Sequence, residues 1–151
     1  MHPRTSPLRR ILLGSALGTA LLPLRAHSQP QQKIRIVVGT HIIPVTMDDN
    51  ASARDFAALL PLSLTLEDYA ATEKVATLPR KLSIAGAPAG TTPAVGDFCY
   101  YAPWGNLAIF HKPFAYSAGL VRLGRVDAGI DVLRTEGRMA ARIEAVPRQA
   151  Q

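Results

Sequence analysis

Apolar residues in this chain recur in short runs, many alternating with polar ones, and the runs are too brief for long helices. Residues 33–38, Lys-Ile-Arg-Ile-Val-Val, alternate at the start and are β-branched throughout their apolar positions, which predicts a strand. Gly39-Thr40 turns the chain, and 41–47 is predicted to return as a second strand. Pro44 has no N–H to give to a ladder, which places that strand at an edge or a bulge. Ser52 is then positioned to cap a helix, with Asp55 as a weak capping-box partner and Phe56, Leu59 and Leu60 on one face, before Pro61 ends it. Residues 62–66 alternate strictly, as in a strand with one buried and one wet face. The stretch 67–77 shows no clear period and reads as a loop or short turn, whereas 80–84 reads as a short strand. Residues 85–96, rich in Gly, Pro, Ala and Thr, form a loop long for a compact domain, so the loop is a candidate for lining or covering a site.

The segment 96–126 carries most of the aromatic residues. Residues 98–102 and 107–110 are two strand-like runs joined by Pro103-Trp104-Gly105-Asn106, a hairpin signal. Lys112-Pro113 interrupts, and 116–123, containing Gly119, is predicted as a third strand. A short helix follows over 127–133, with Asp127 as cap and Val126, Ile130 and Leu133 facing inward. Residues 139–146 alternate as a closing strand, and 147–151 form a tail. The fold class is therefore mainly β, with about eight strands and two short helices. Eight is the strand number at which side chains alone fill a closed barrel.

Composition changes the picture at the front of the chain. Residues 1–28 hold Arg4, Arg9, Arg10 and Arg25, no acidic residue, an apolar run over 11–22 and then Ala26-His27-Ser28. That is the layout of a signal peptide. As helix the run of about 12 residues spans about 18 Å, short of the roughly 30 Å hydrocarbon core, so no stable membrane anchor is expected after cleavage. The expected location is the periplasm or the extracellular space, reached through the general secretory (Sec) route or, given Arg9-Arg10, the twin-arginine route. The whole chain carries 17 basic and 11 acidic residues, a net charge of +6; removing four basic residues with the leader leaves 13 against 11, or +2. The basic balance belongs to the leader, and no nucleic-acid partner is expected. What remains is a linker over 29–32 and one domain over 33–146. Cys99 is the only cysteine and lies among aromatic residues in a predicted strand, which reads as a buried structural thiol.

Leu123-Gly124-Arg125-Val126-Asp127-Ala128-Gly129-Ile130-Asp131-Val132-Leu133 resembles the Gly-x-Val-x-x-Gly-x-Asp-Val segment that in cyclophilins leads from a barrel strand into a helix plugging one barrel end. Gly96-Asp97, the run 100–110 and Tyr116-Ser117-x-Gly119-Leu120-x-x-Leu123-Gly124 resemble the signature of bacterial cyclophilin-like proteins of unassigned function. The resemblance covers nearly all of 33–146 and implies a closed eight-stranded cyclophilin-like β-barrel with two short helices. It does not imply isomerase activity. The Phe-x-x-Gln-Gly-Gly-Asp run with its upstream arginine, and the Asn-Gly-Ser-Gln-Phe-Phe run, which peptidyl-prolyl isomerase cyclophilins carry, are not found in this sequence. That arginine hydrogen-bonds the prolyl nitrogen and weakens an amide whose rotation barrier is about 18–20 kcal/mol. Arg54, Arg80 and Arg122 are the substitutes considered, each with a plainer role as a solvated charge.

The remaining chemistry is sparse. His41 and His111 stand 70 residues apart with no second ligand at metal spacing, Ser117 lies outside a Gly-x-Ser-x-Gly context, and Gly86, Gly90 and Gly96 form no phosphate loop. No catalytic residue, metal or cofactor is expected. Alternation puts Tyr100 and Tyr101 on opposite faces, one in the core and one outside. Trp104, in its turn, either folds over the core or offers a platform to a ligand. The expected ligand contacts are Tyr101, Trp104, Phe110 and Tyr116, for a peptide segment or a small apolar ligand, with a divergent peptidyl-prolyl isomerase acting on exported proteins as the alternative. Mass spectrometry of the processed protein should find a start close to Gln29; a soluble product retaining Met1 would refute the leader.

Overall fold

The computed structural model describes residues 30–148, and the expected leader over 1–28 lies outside them. Ten strands and two helices follow in the order β1 (Lys33–Val38), β2 (His41–Met47), α1 (Ala51–Ala57), β3 (Leu62–Tyr69), β4 (Glu73–Thr77), β5 (Gly90–Thr91), β6 (Asp97–Tyr101), β7 (Asn106–Phe110), β8 (Ser117–Ala118), β9 (Leu120–Val126), α2 (Ile130–Leu133) and β10 (Met139–Ala145). Eight strands close an antiparallel barrel in the order β1-β10-β3-β4-β7-β6-β9-β2, while β5 and β8 pair separately. Closure depends on β1. It takes β2 on one side and β10 on the other, so that Ile36 faces Ile43 and Ile143 across the two ladders. All three are fully buried, as strand alternation demands of inward positions. No helix among the described residues is long and apolar enough to cross a membrane.

The expected eight-stranded barrel is present, but three of the assumed elements and both helix caps differ. The 67–77 stretch is a strand hairpin: β3 runs on to Tyr69, Ala70 and Ala71 make the turn at φ 49° and 53°, and β4 returns. The 80–84 segment is not a strand. It is strapped to α1, where Asp55 accepts from Arg80 at 2.8 and 2.9 Å and from Ser83 N at 2.7 Å, while Ser52 Oγ donates to Ser83 O at 2.6 Å. Ser52 and Asp55 are thereby used, and the helix cap falls to Asn50, whose side chain accepts from Ala53 N. The expected 116–123 strand breaks at Gly119, with β8 turned away to β5. Asp127 does not cap α2, because its carboxylate accepts from Thr46 and Lys33; Gly129, at φ 81°, leads into the helix instead. Pro44 sits where β2 outruns β9. Its carbonyl accepts from Asp127 N at 2.8 Å, one residue beyond the β2–β9 ladder.

The barrel has an inner and an outer apolar layer. Inside, Phe98 meets Phe56 of α1 edge-on at 5.2 Å, and Leu133 of α2 is fully buried with Ile130 packed beside it. Outside, Cys99, Ala108, Phe110 and Leu120 form a second buried cluster on β6, β7 and β9, joined by Val75 and Tyr101. Cys99 is thus the buried thiol expected, and burial pushes its pKa well up. One charge is carried inward: Lys74 is fully buried and its Nζ donates to Asp68 at 2.5 Å and to Gly137 O at 2.7 Å. Gly137 N donates to the same carboxylate at 2.6 Å, fastening the β3–β4 hairpin to the start of β10.

Two stability measurements follow. Leu133→Ala should cost about 2–5 kcal/mol in chemical denaturation, through lost burial plus a cavity, and Ile130→Ala less, since that side chain is only partly buried. Arg138→Ala, at an exposed ion pair with Glu67, should sit close to wild type. A mild Leu133→Ala would refute the plug. Separately, Arg80 and the Ser83 N–H hold the Asp55 carboxyl at about 2, against an ordinary 3.8. The unfolded chain takes up that proton first, so the contribution is complete above the ordinary value and is lost as pH falls toward about 2. Asp55→Asn should therefore be less stable than wild type at neutral pH, with the gap closing as the denaturation series descends through that window.

Candidate functional site

The second apolar layer is where the barrel wall becomes a pocket. Alternation in β6 sends Tyr100 inward, where its hydroxyl accepts from Leu82 N at 3.1 Å, and leaves Tyr101 outside. The turn after β6 is tight: Trp104 N and Gly105 N both donate to Tyr101 O, at 3.3 and 2.9 Å. It is also held from the side. Gly119 (φ 80°) lies so close that a Cβ there would come within 2.7 Å of Pro103 Cδ, and its carbonyl accepts from Ala102 N at 2.9 Å. Gly119 N in turn donates to Ala89 O at 2.7 Å, tying the turn to the 85–96 loop.

Held this way, Trp104 stays 59% exposed yet does not stand free. Its ring meets Tyr69 at 5.5 Å and 84° and Tyr101 at 5.2 Å and 82°, both edge-to-face. Register supplies the floor. Glu73 of β4 lies opposite Tyr69 on β3 and opposite Phe110 on β7, so the three side chains form a row across the outer wall. Phe114 leans over Phe110 with ring centres 6.4 Å apart. The result is a pocket of about 140 Å³ whose walls include Tyr69, Glu73, Tyr101, Trp104, Phe110 and Phe114, with Asn106, Ser117 and Leu120 completing it.

Two of its polar side chains, Glu73 and Asn106, are buried with acceptor capacity to spare. Glu73 is 7% exposed, and its one hydrogen bond within the described residues is accepted from Thr72 Oγ1 at 3.2 Å. Burial raises its carboxyl above the ordinary value, with that hydrogen bond pulling the other way. Asn106 gives its Nδ2 to Leu107 O, and its buried Oδ1 has no partner among the described residues. Ser117 Oγ donates to Ala115 O. No lysine or arginine lines the pocket.

Three of the four expected contacts, Tyr101, Trp104 and Phe110, meet here. Tyr116 does not line the pocket: it is 59% exposed, with its hydroxyl over Gly90. Tyr69 and Glu73 lie in the stretch without a period, and Asn106 belongs to the Pro-Trp-Gly-Asn turn signal, so neither pattern marks them as site residues. The 85–96 loop lines a neighbouring pocket of about 260 Å³ instead, through residues 85–88 and Thr91, together with Asp48, Asn50, Ser52 and Arg122. Arg122 Nε donates to Asp48 at 2.7 Å there, while Arg54 is paired with Asp49 and Arg80 with Asp55. His111 is buried between β7 and the following turn, and burial lowers its pKa, with Lys112, Lys74 and Arg134 adding to the effect. Among the described residues no group of three or more His, Cys, Asp or Glu side chains is placed to hold a metal ion.

The fold has a solved counterpart. The chain is similar to the solution structure of a hypothetical protein from Archaeoglobus fulgidus, with a TM-score of 0.56 at 14% identity, covering 77% of this chain and 95% of that one. At that identity the likeness speaks for the fold alone. No curated protein matches the sequence. Residues 36–144, from β1 through β10, match the family described as the Cyclophilin-like family, and the chain belongs to it.

Proposed function

We propose that this chain is an exported binding module rather than an enzyme, and that its aromatic pocket takes a peptide segment or a small ligand by a single inserted group. The observation that carries this reading is the indole of Trp104, exposed over a pocket and fixed in place by two aromatic edges and a braced turn. An exposed aromatic held rigid loses little entropy when a ligand covers it. Pocket size supports a single inserted group, since about 140 Å³ lies well under the roughly 300–1,000 Å³ of pockets for drug-sized ligands. Export rests on the leader pattern of residues 1–28.

A divergent peptidyl-prolyl isomerase is the second reading, favoured by Arg122, which lies on the same outer wall and shares Leu120 with the aromatic pocket. Its guanidinium is engaged by Asp48, however, and an amide-nitrogen contact would have to break that ion pair. The binding reading predicts that proline-containing peptides or small aliphatic ligands stabilise the wild type in thermal-shift titrations and that Trp104→Ala abolishes the effect while folding normally. An indistinguishable Trp104→Ala would sink the site. Acceleration of prolyl isomerisation above the uncatalysed rate, lost in Arg122→Ala, would favour the enzyme instead.

A further inference from the structure

The lining of the aromatic pocket sets aromatic rings beside two buried acceptor groups. Trp104 stands edge-to-face with both Tyr69 and Tyr101, and all three rings line the space. Asn106 is 6% exposed and offers an oxygen that nothing in the described residues satisfies. Buried polar atoms are seldom left unpaired, and an orphan acceptor in a pocket wall is a place for a donor. Glu73 is likewise buried, and among the described residues no cation is paired with it. The nearest cation in sequence is Lys74, but adjacent strand residues point to opposite faces, and Lys74 is turned inward to Asp68 and Gly137.

A neutral apolar ligand would leave Asn106 Oδ1 unpaired and the Glu73 carboxylate with the Thr72 hydroxyl alone, and would desolvate both further, which costs free energy. An anion would meet a carboxylate. We propose that the group this pocket accepts is an alkylammonium: the cation lies against the Trp104 and tyrosine faces, its N–H bonds go to Asn106 Oδ1 and the Glu73 carboxylate, and its alkyl stem runs along Phe110 and Phe114. Cation–π attraction is strongest for tryptophan and grows as the site loses water, so the three contributions act on one small volume. The inference rests on the binding reading of this pocket and adds the chemistry of what enters it. Two sources share that chemistry, a free alkylamine and the lysine side chain of a peptide, whose ammonium is charged at neutral pH.

Trp104 is the only tryptophan, so intrinsic fluorescence of the full chain reports on the pocket directly. Titration with butylammonium should quench or shift it at concentrations roughly tenfold or more below those needed for butanol, the uncharged counterpart of the same length. Glu73→Gln should weaken butylammonium far more than butanol and so narrow the gap between them. Tyr69→Leu, at a strand end, serves as a second variant should the first fold poorly, and it should weaken butylammonium more than butanol. A Gly-Lys-Gly peptide binding while its acetyl-lysine form does not would assign the ammonium to a peptide; binding of butylammonium without the peptide would assign it to a free amine. Equal affinity for butylammonium and butanol would overturn the ammonium inference and leave the apolar binding site intact. Failure of both probes would overturn the two together.

Discussion

Strand β7 is buried along its whole length, from Asn106 to Phe110, and both layers of the molecule are built on that constraint. A barrel strand normally shows water one of its faces. Here Leu107 and Ile109 fill the interior, while on the outside Ala108 and Phe110 are buried with Cys99 and Leu120, Phe114 leans over Phe110, and Asn106 shares a pocket wall with Trp104. The outer covering exists because the outer face is apolar, and the pocket exists because the covering is incomplete. β7 is paired to β4 by one edge and to β6 by the other. Any change in its register would exchange the two faces, and with them the core and the site floor.

The same alternation explains how opposite charges one residue apart fail to neutralise each other. Glu73 and Lys74 are sent to opposite sides of the wall. Lys74 enters the interior, a costly location for a charge, and is compensated by a carboxylate and a carbonyl that also hold the hairpin to β10. Glu73 receives a single hydroxyl. One of the pair is thus used to lock the barrel, and the other is left as the principal uncompensated charge in a cleft of aromatic rings. Perturbed ionisable groups in clefts are the ones to examine for function, and Glu73 qualifies on geometry before its titration is considered.

Much of the barrel was legible because a closed sheet writes its alternation into the sequence. The strands at 33–38, 41–47 and 139–146, and the hairpin around Trp104, are where period and turn chemistry place them. The β3–β4 hairpin was not legible. Its turn uses two alanines at positive φ, where glycine or asparagine would have announced it, and its returning strand opens with Glu-Lys, one of them buried inside. The count of eight comes out the same because β4 takes the place of 80–84, a segment held by Asp55, Ser52 and Tyr100 rather than by a ladder. Side-chain tethers of that kind leave no period to read. The site was half legible for the same reason: the aromatic residues of β6, β7 and their turn were visible, whereas Tyr69 and Glu73 reach the pocket only through a hairpin that the sequence concealed.

Family membership fixes the scaffold, and the outer wall decides what is done with it. Isomerase chemistry on such a wall needs a guanidinium free to approach an amide nitrogen. The three arginines weighed for that task, Arg54, Arg80 and Arg122, each hold a carboxylate within 2.6 to 2.8 Å, and none lines the aromatic pocket. In Arg80 the pairing is part of the fold itself, since the same Asp55 anchors the strap to α1. Releasing any of them would set the loss of a formed charge-assisted bond against a contact made only in passing. The aromatic pocket carries no such conflict. Trp104 already meets both tyrosines, its turn is braced through Gly119, and Asn106 Oδ1 has no partner among the described residues, so a ligand bound there would complete contacts without dismantling any that the fold requires.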